Sequence, residues 1–330
     1  MEESHRQRAT APPLPELAPG YGVLMASWQS KRNIEYLSRP PGQTETSVAT
    51  STANRVKDAI KAEAVFKDRR LDVFLQGSYA NSTNISGGSD VDVVSKLEDT
   101  YYYEFFDNVD ELARQRVKAN MGGTPVTYDW TEYRRDLLAA LQAQFPGYVI
   151  DGNKAIKVNG TASGSRLPAD VVPCVTFRMY RADGTFEEGI CFWRKDARHS
   201  KVSNFPKQHR NNMSSKNGSA RAGPKFKGLV RAMKRLRDEI DPLGSGLARE
   251  AASYWIECLM YNVPDDRFRG SYDEAMLSCL SYLYNAVDNE DLEFVQANDI
   301  YLLFHAKFWS RASAKKLVDQ VWDAAFETVP

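Results

Sequence analysis

The chain has 330 residues, with 43 Lys/Arg balanced by 43 Asp/Glu and 42% apolar side chains. That length can bury one large core or two lobes sharing a cleft, and the composition is that of a globular enzyme. No apolar run approaches the ~20 residues that cross a bilayer, which excludes a spanning segment and a membrane partner.

The first 20 residues, MEESHRQRATAPPLPELAPG, are polar and proline-rich with no apolar stretch, so they read as a tail and not as a signal peptide. Tyr21–Leu37 has a helical pattern, which the SRPPGQTET cluster interrupts. Thr46–Phe66 predicts a long helix, with Ala53, Val56, Ile60 and Ala64 at spacings of three and four. Strands follow at Leu71–Gln76 and Asp90–Val94, on either side of a turn rich in Gly, Ser and Asn. The middle section combines a helix over Asp129–Gln144 with strands at Tyr148–Ile150, Ala155–Val158, Val171–Phe177 and Glu187–Phe192. Residues 195–223, rich in Asn, Ser, Gly and Lys, predict a long loop. Beyond Pro224 the pattern is helical at Lys225–Ile240, Ala248–Tyr261, Tyr272–Ala286, Asp299–Trp309 and Arg311–Phe326. The order implies a tail (1–20), an α+β lobe (21–223) and an α-helical lobe (224–330), with a cleft between the lobes.

Chemistry concentrates in Leu71–Val94, LDVFLQGSYANSTNISGGSDVDVV. Alternate residues of a strand share a face, so Asp90 and Asp92 point one way while Val91 and Val93 enter the core. Two carboxylates about 4 Å apart repel by roughly 4 kcal/mol at an effective dielectric of about 20. Unrelieved, that lifts one pKa by about three units; a hard divalent cation such as Mg²⁺ relieves it. Asp170, in LPADVVPCV, is the best third carboxylate, on a strand whose pairing Pro173 is expected to interrupt. Gly77 lets backbone approach a phosphate closely, and the Ser78 hydroxyl can bind its oxygens.

A Gly-Ser turn, then DxD, then a distal Asp on another strand resembles the DNA polymerase β-like nucleotidyltransferases. Within them the chain resembles the CD-NTases (cGAS/DncV-like nucleotidyltransferases) of bacterial type. QGSYANSTN with SDVDVV, ADVVPC, NFPKQH, the KFKGLVRAMKRLR helix and SYWIECLMYNVP carry the likeness. It implies a bilobed α+β fold with a long spine helix and an α-helical C-terminal lobe. The implied activity is synthesis of a cyclic di- or trinucleotide second messenger from NTPs, ATP among them, with release of pyrophosphate, in anti-phage signalling. Two Mg²⁺ ions, replaceable by Mn²⁺, would bind Asp90 and Asp92, with Asp170 on the one that activates the attacking hydroxyl. Gly77 and Ser78 would hold the donor triphosphate together with Lys234 and Ser253, and Tyr254 would stack on the base. A regulatory protein or ligand is a further implied partner.

In the Lys225–Ile240 helix, Phe226, Leu229, Val230, Met233 and Ile240 form an apolar stripe, and Lys227, Arg231 and Lys234 an adjacent charged one. From Arg194 to Arg237 fourteen Lys/Arg face a single acid, Asp196, a stretch suited to phosphates. Competing readings are a nucleotidyltransferase acting on RNA, a small molecule or a protein, and a non-catalytic nucleotide- or RNA-binding module using that stretch. Cys174, Cys191, Cys258 and Cys279 form no CxxC pair and His5, His199, His209 and His305 are scattered, so neither zinc nor Ser/His or Cys/His catalysis is expected. The thiols fit a reducing cytoplasm. Without a zinc-binding insertion, activation by double-stranded DNA is not implied. Gly87-Gly88 lacks a following Lys-Ser/Thr, which excludes a P-loop. The aromatic run Tyr101–Phe106 is expected to close the core beneath the acidic strands.

Overall fold

The computed structural model describes residues 28–85, 90–122, 126–196, 199–244, 246, 251–304 and 309–328; the expected tail and the Gly87-Gly88 turn lie outside them. In chain order the elements are β1 (Trp28–Ser30), α1 (Ile34–Ser38), α2 (Gln43–Ala62), β2 (Leu71–Leu75), α3 (Gly77–Asn81), β3 (Val91–Phe105), α4 (Glu111–Asn120), α5 (Trp130–Gln144), β4 (Val149–Asp151), β5 (Ile156–Val158), β6 (Ala169–Tyr180), β7 (Phe186–Trp193) and β8 (Lys201–Asn204). Helices α6 (Pro206–Lys216), α7 (Lys225–Ile240), α8 (Ser253–Tyr261), α9 (Tyr272–Ala286) and α10 (Arg311–Ala325) follow, and β9 (Phe326–Thr328) ends the described chain. Contacts divide it into two compact units, one of residues 40–211 and one of residues before 40 together with those from 212 on. The boundaries expected from composition were 20/21 and 223/224.

The 40–211 unit is built on a seven-stranded sheet of order β2-β3-β6-β5-β4, with β7 alongside β6 and β8 beyond β7. Among the described residues only the β3–β6 pair is parallel. Helices α2 and α5 pack against each other and against the sheet. The first buries Ala49, Ala53, Val56 and Ile60, and the second Tyr133, Leu137 and Leu141. Asp129 and Glu132 close a capping box at the start of α5, so two otherwise orphan backbone donors are satisfied there. The Tyr133 hydroxyl meets Ser95 Oγ at 2.6 Å in the core.

Strand β6 runs from Ala169 to Tyr180, and its pairing with β3 continues through Pro173 instead of being interrupted there. On its outer side it pairs with β5 over residues 169–171 and with β7 over 175–180, so the proline sits between the two ladders, where no strand donor is lost. Its carbonyl accepts the Trp130 indole N–H at 2.8 Å. Strand β3 is likewise longer than expected, with a register shift between Leu97 and Tyr101. The aromatic run therefore lies at the strand's far end from the aspartates, with Tyr103 exposed, and does not close the core beneath them.

The other unit is helical around one apolar cluster that includes Leu229, Met233, Trp255, Ile256, Leu280 and Leu317, all fully buried. Ile34 and Leu37 of α1 join this cluster, and β1 pairs antiparallel with β9. A partner nearly 300 residues away is invisible to local periodicity, which is why Trp28–Ser30 is a strand and not part of the expected helix. Residues 195–223 are not a continuous loop either: they contain β8, an edge strand, and α6, on either side of the fully buried Phe205. Over the described part of Asp299–Trp309 the expected helix is absent. Asn298 Oδ1 accepts from the N–H groups of Ile300 and Tyr301, and Asp299 takes φ 59°, a side-chain-stabilised turn that competes with helix formation. All four cysteines are buried free thiols.

Candidate active site

In the parallel pair, Asp92 and Asp170 are direct register partners, bracketed by Val91↔Ala169 and Val93↔Val171. Those four neighbours are at most 1% exposed. Alternation then places both aspartates on the opposite, accessible face, side by side on adjacent strands. Asp90 immediately precedes β3, next to the Val91 N–H to Pro168 O bond of 2.8 Å, and its carboxylate shares Lys157 with Asp170. Burial, then the charge of Asp170, push the Asp90 carboxyl above its usual range, and Lys157 pulls it back.

Gly77 opens α3 with φ +68°, and a Cβ built on it would lie 2.2 Å from Asp92 Oδ2. The turn backbone thus rests on the carboxylate itself, a closeness only glycine permits. The Gln76 N–H donates to Asp92 O at 3.0 Å and the Thr83 N–H to Ser78 O at 2.9 Å, which tie the Gly-Ser turn to β3 and close it on itself. Three residues outside the expected set, Tyr79, Glu45 and Lys157, lie at this turn or at the aspartates. The Tyr79 hydroxyl donates to Glu45 Oε1 at 3.2 Å, joining the turn to the first turn of α2, and burial followed by the Glu45 charge pushes the Tyr79 hydroxyl up to about 12. Lys157 of β5 reaches Asp170 Oδ1 at 3.4 Å and Asp90 Oδ2 at 3.8 Å. Alternation between Ile156 and Val158 marks Lys157 as face-turned in the sequence; its register opposite Asp170 is not legible there.

Among the described residues no three His, Cys, Asp or Glu side chains are already gathered as a metal site. The donor set nevertheless fits a hard divalent cation: three carboxylates share one face, Asp92 lies against a glycine cradle, and a lysine ammonium already sits between Asp90 and Asp170.

In the helical unit, Phe226, Leu229, Val230 and Met233 of α7 are fully buried, whereas Ile240 is half-exposed. The expected charged stripe is not one surface. Arg231 is 8% exposed and its Nε donates to Ser38 O at 2.8 Å. Lys234 is 1% exposed and paired with buried Glu257 at 2.7 Å; burial drives its ammonium pKa down, although Glu257 opposes this. In this arrangement the Lys234 ammonium faces a carboxylate and not solvent. Lys227, in the first turn, is half-exposed. Ser253 and Tyr254 open α8 mostly buried, Tyr254 packed against the apolar cluster. Arg237 Nη1 donates to Ser253 Oγ at 3.4 Å. Tyr254 stacks on Trp309 at 5.7 Å and donates to Gln296 at 2.9 Å.

The basic stretch is largely neutralised. Of its fourteen cations, Arg194, Lys195, Lys201, Lys207, Lys216, Arg221, Lys234 and Arg237 are ion-paired, most with acids distant in sequence such as Asp151, Glu104, Asp72 and Asp265. Local charge counting sees the cations and misses these partners.

The sheet aligns two aspartates across parallel strands, with a third two residues away and a Gly-Ser turn against them, the arrangement expected of a DNA polymerase β-like nucleotidyltransferase. The family model described as cGAS/DncV-like nucleotidyltransferase C-terminal helical domain matches residues 211–325. A cyclic dipyrimidine nucleotide synthase CdnE of Legionella pneumophila is 33% identical over 293 residues, 86% of this chain and 94% of its own length. The solved structure of Rhodothermus marinus CdnE c-UMP-AMP synthase with Apcpp and Upnpp superposes with TM-score 0.74 at 29% identity, covering 87% of this chain and 93% of that one. The Elizabethkingia meningoseptica CdnE cyclic dinucleotide synthase, solved with GTP and Apcpp, gives 0.71 at 27% identity, over 88% and 96%. The chain belongs to the CD-NTase family and is a nucleotidyltransferase of the cyclic-nucleotide-synthase kind.

Proposed function

We propose that this enzyme joins two NTPs into a cyclic dinucleotide at the face carrying Asp90, Asp92 and Asp170. The observation that carries the reading is the Asp92↔Asp170 register beside a glycine that leaves no room for a side chain. In each condensation a ribose hydroxyl oxygen bonds to the α-phosphorus of an NTP, the bond from that phosphorus to the bridging oxygen breaks, and pyrophosphate leaves. The second condensation, within the linear product, closes the ring and releases a second pyrophosphate.

The three aspartates would hold divalent cations, Mg²⁺ with Mn²⁺ able to replace it. When bound, these supply Lewis-acid stabilisation of the attacking and leaving oxygens. The protein's own part is positioning. Gly77 lets the turn backbone come close to the phosphates, Ser78 offers them a hydroxyl, and Glu45 holds the turn through Tyr79. In the helical unit we assign Ser253 to the triphosphate and Tyr254 to the base. Lys234 we assign to the triphosphate as well, its ammonium held in the helical unit by the pair with Glu257. Several relatives are synthases of different cyclic dinucleotides: dipyrimidine, dipurine and UMP-AMP products. A dinucleotide is therefore the product class we assign, in the anti-phage setting the resemblance implies.

Incubation of the purified chain with Mg²⁺ and labelled NTPs in all pairwise combinations, then phosphatase, should leave a resistant product with the mass of a cyclic dinucleotide. Asp90→Asn and Asp170→Asn should abolish it while circular dichroism stays unchanged. Folded variants that keep near-normal turnover, or a product removed by phosphatase, would overturn the assignment.

A further inference from the structure

We propose that Lys157 is the resident counter-cation of the aspartate row and competes with a divalent ion for Asp90 and Asp170, so that it sets how tightly the nucleotide-free protein takes up metal. The inference rests on the reading above that these aspartates hold the metals.

Register places the lysine there by construction. β5 pairs with β6 so that Lys157 lies opposite Asp170, and β6 pairs with β3 so that Asp170 lies beside Asp92. One row of side chains thus crosses three strands in the order Lys157, Asp170, Asp92. Ile156 and Val158 are both fully buried, which pins the Lys157 backbone and turns its side chain to the same face as the acids. Its ammonium reaches both Asp170 Oδ1 at 3.4 Å and Asp90 Oδ2 at 3.8 Å, a bridge between two carboxylates of the proposed metal set. The side chain is 49% exposed, so nothing encloses it. A lysine ammonium is a compact, strongly hydrated charge on a long stem, and it can swing into water at little cost.

Two consequences oppose each other, and their balance gives the test. The ammonium lowers the mutual repulsion of the carboxylates, which holds the row together. It also occupies oxygens that a divalent ion needs, and two cations cannot share them without repelling each other. A divalent ion carries twice the charge, so it displaces the lysine, with its affinity reduced by the energy of the two ion pairs that break. A lysine serving only to keep the acids aligned would act the other way, since its loss would splay them and weaken metal binding.

The experiment is a Mn²⁺ titration of the full chain without nucleotide, following free Mn²⁺ by electron paramagnetic resonance. Lys157→Gln should bind Mn²⁺ about tenfold more tightly than the unmodified protein, the scale of two partly exposed ion pairs. Lys157→Arg should stay close to the unmodified protein. Unchanged or weaker binding in folded Lys157→Gln overturns the proposal; Lys157→Met serves if the glutamine variant does not fold. Asp90→Asn separates the two levels. If it loses affinity while Lys157→Gln does not gain any, only this inference fails; if it titrates like the unmodified protein, the metal assignment itself fails.

Discussion

Gly77 shows how one residue can set the geometry of the site. Its φ of +68° is one that L side chains rarely adopt, and the space a Cβ would fill belongs to Asp92 Oδ2, 2.2 Å away. Gly77→Ala must therefore move either the turn or the carboxylate. A displacement near 1 Å in such a site lowers turnover by about 100-fold, and the φ strain destabilises the fold by about 1–2 kcal/mol. Steady-state assay alongside thermal melting should show the large kinetic loss with a modest stability loss. The shared face of Asp90 and Asp92 was legible from spacing, because a strand's two-residue period is local. The roles of Lys157, Tyr79 and Glu45 were not, since each depends on a partner that only strand register or helix packing brings near.

Among the elements, α7 is the most instructive. Its bounds, Lys225–Ile240, match the helical period, and so does most of its apolar stripe. The polar positions misled, because Arg231 and Lys234 are long side chains whose charges are satisfied inside the helical unit. Removing one partner of a buried ion pair leaves the other charge uncompensated and costs about 3–5 kcal/mol. Glu257→Gln should lower stability by that amount in urea unfolding, and Lys234→Met/Glu257→Leu, which removes both charges, should recover most of it. A second ionic tie is Asp265, which accepts from Lys216 at 2.8 Å and from Arg221 at 2.8 Å. Burial pushes its carboxyl up, but these two cations outweigh burial and hold it below the ordinary 3.8. A depressed carboxyl contributes stability above that ordinary value and loses it as pH falls through the folded value. Asp265→Asn should therefore melt below the unmodified protein at neutral pH, and the gap should close in acid.

At the scale of the whole molecule, the helical unit is discontinuous in sequence, with β1 and α1 entering before the sheet-bearing unit and the rest after it. Fully buried Ile34 belongs to the same core as Leu229 and Trp255. Ile34→Ala should cost about 2–5 kcal/mol through lost transfer energy and the cavity left behind. Hydrogen exchange should place the loss in the amides of α7–α10, with those of β3 and β6 keeping their protection. Equal loss of protection in both units would contradict the division. Across the described residues no helix is long and apolar enough to cross a membrane.

The amino-acid sequence by itself determined the α+β class, the helical C-terminal third, most element bounds from Leu71 to Phe192, and the three acids with their Gly-Ser turn. All of these follow from short-range periodicity, glycine's conformational freedom and side-chain chemistry. Tertiary structure alone decided that Asp92 and Asp170 share a register, that a lysine completes their row, that most of the basic stretch is neutralised, and that Trp28–Ser30 is a strand. Each of these depends on pairing between residues far apart in the chain, where the energy lies in a contact and no local pattern records it.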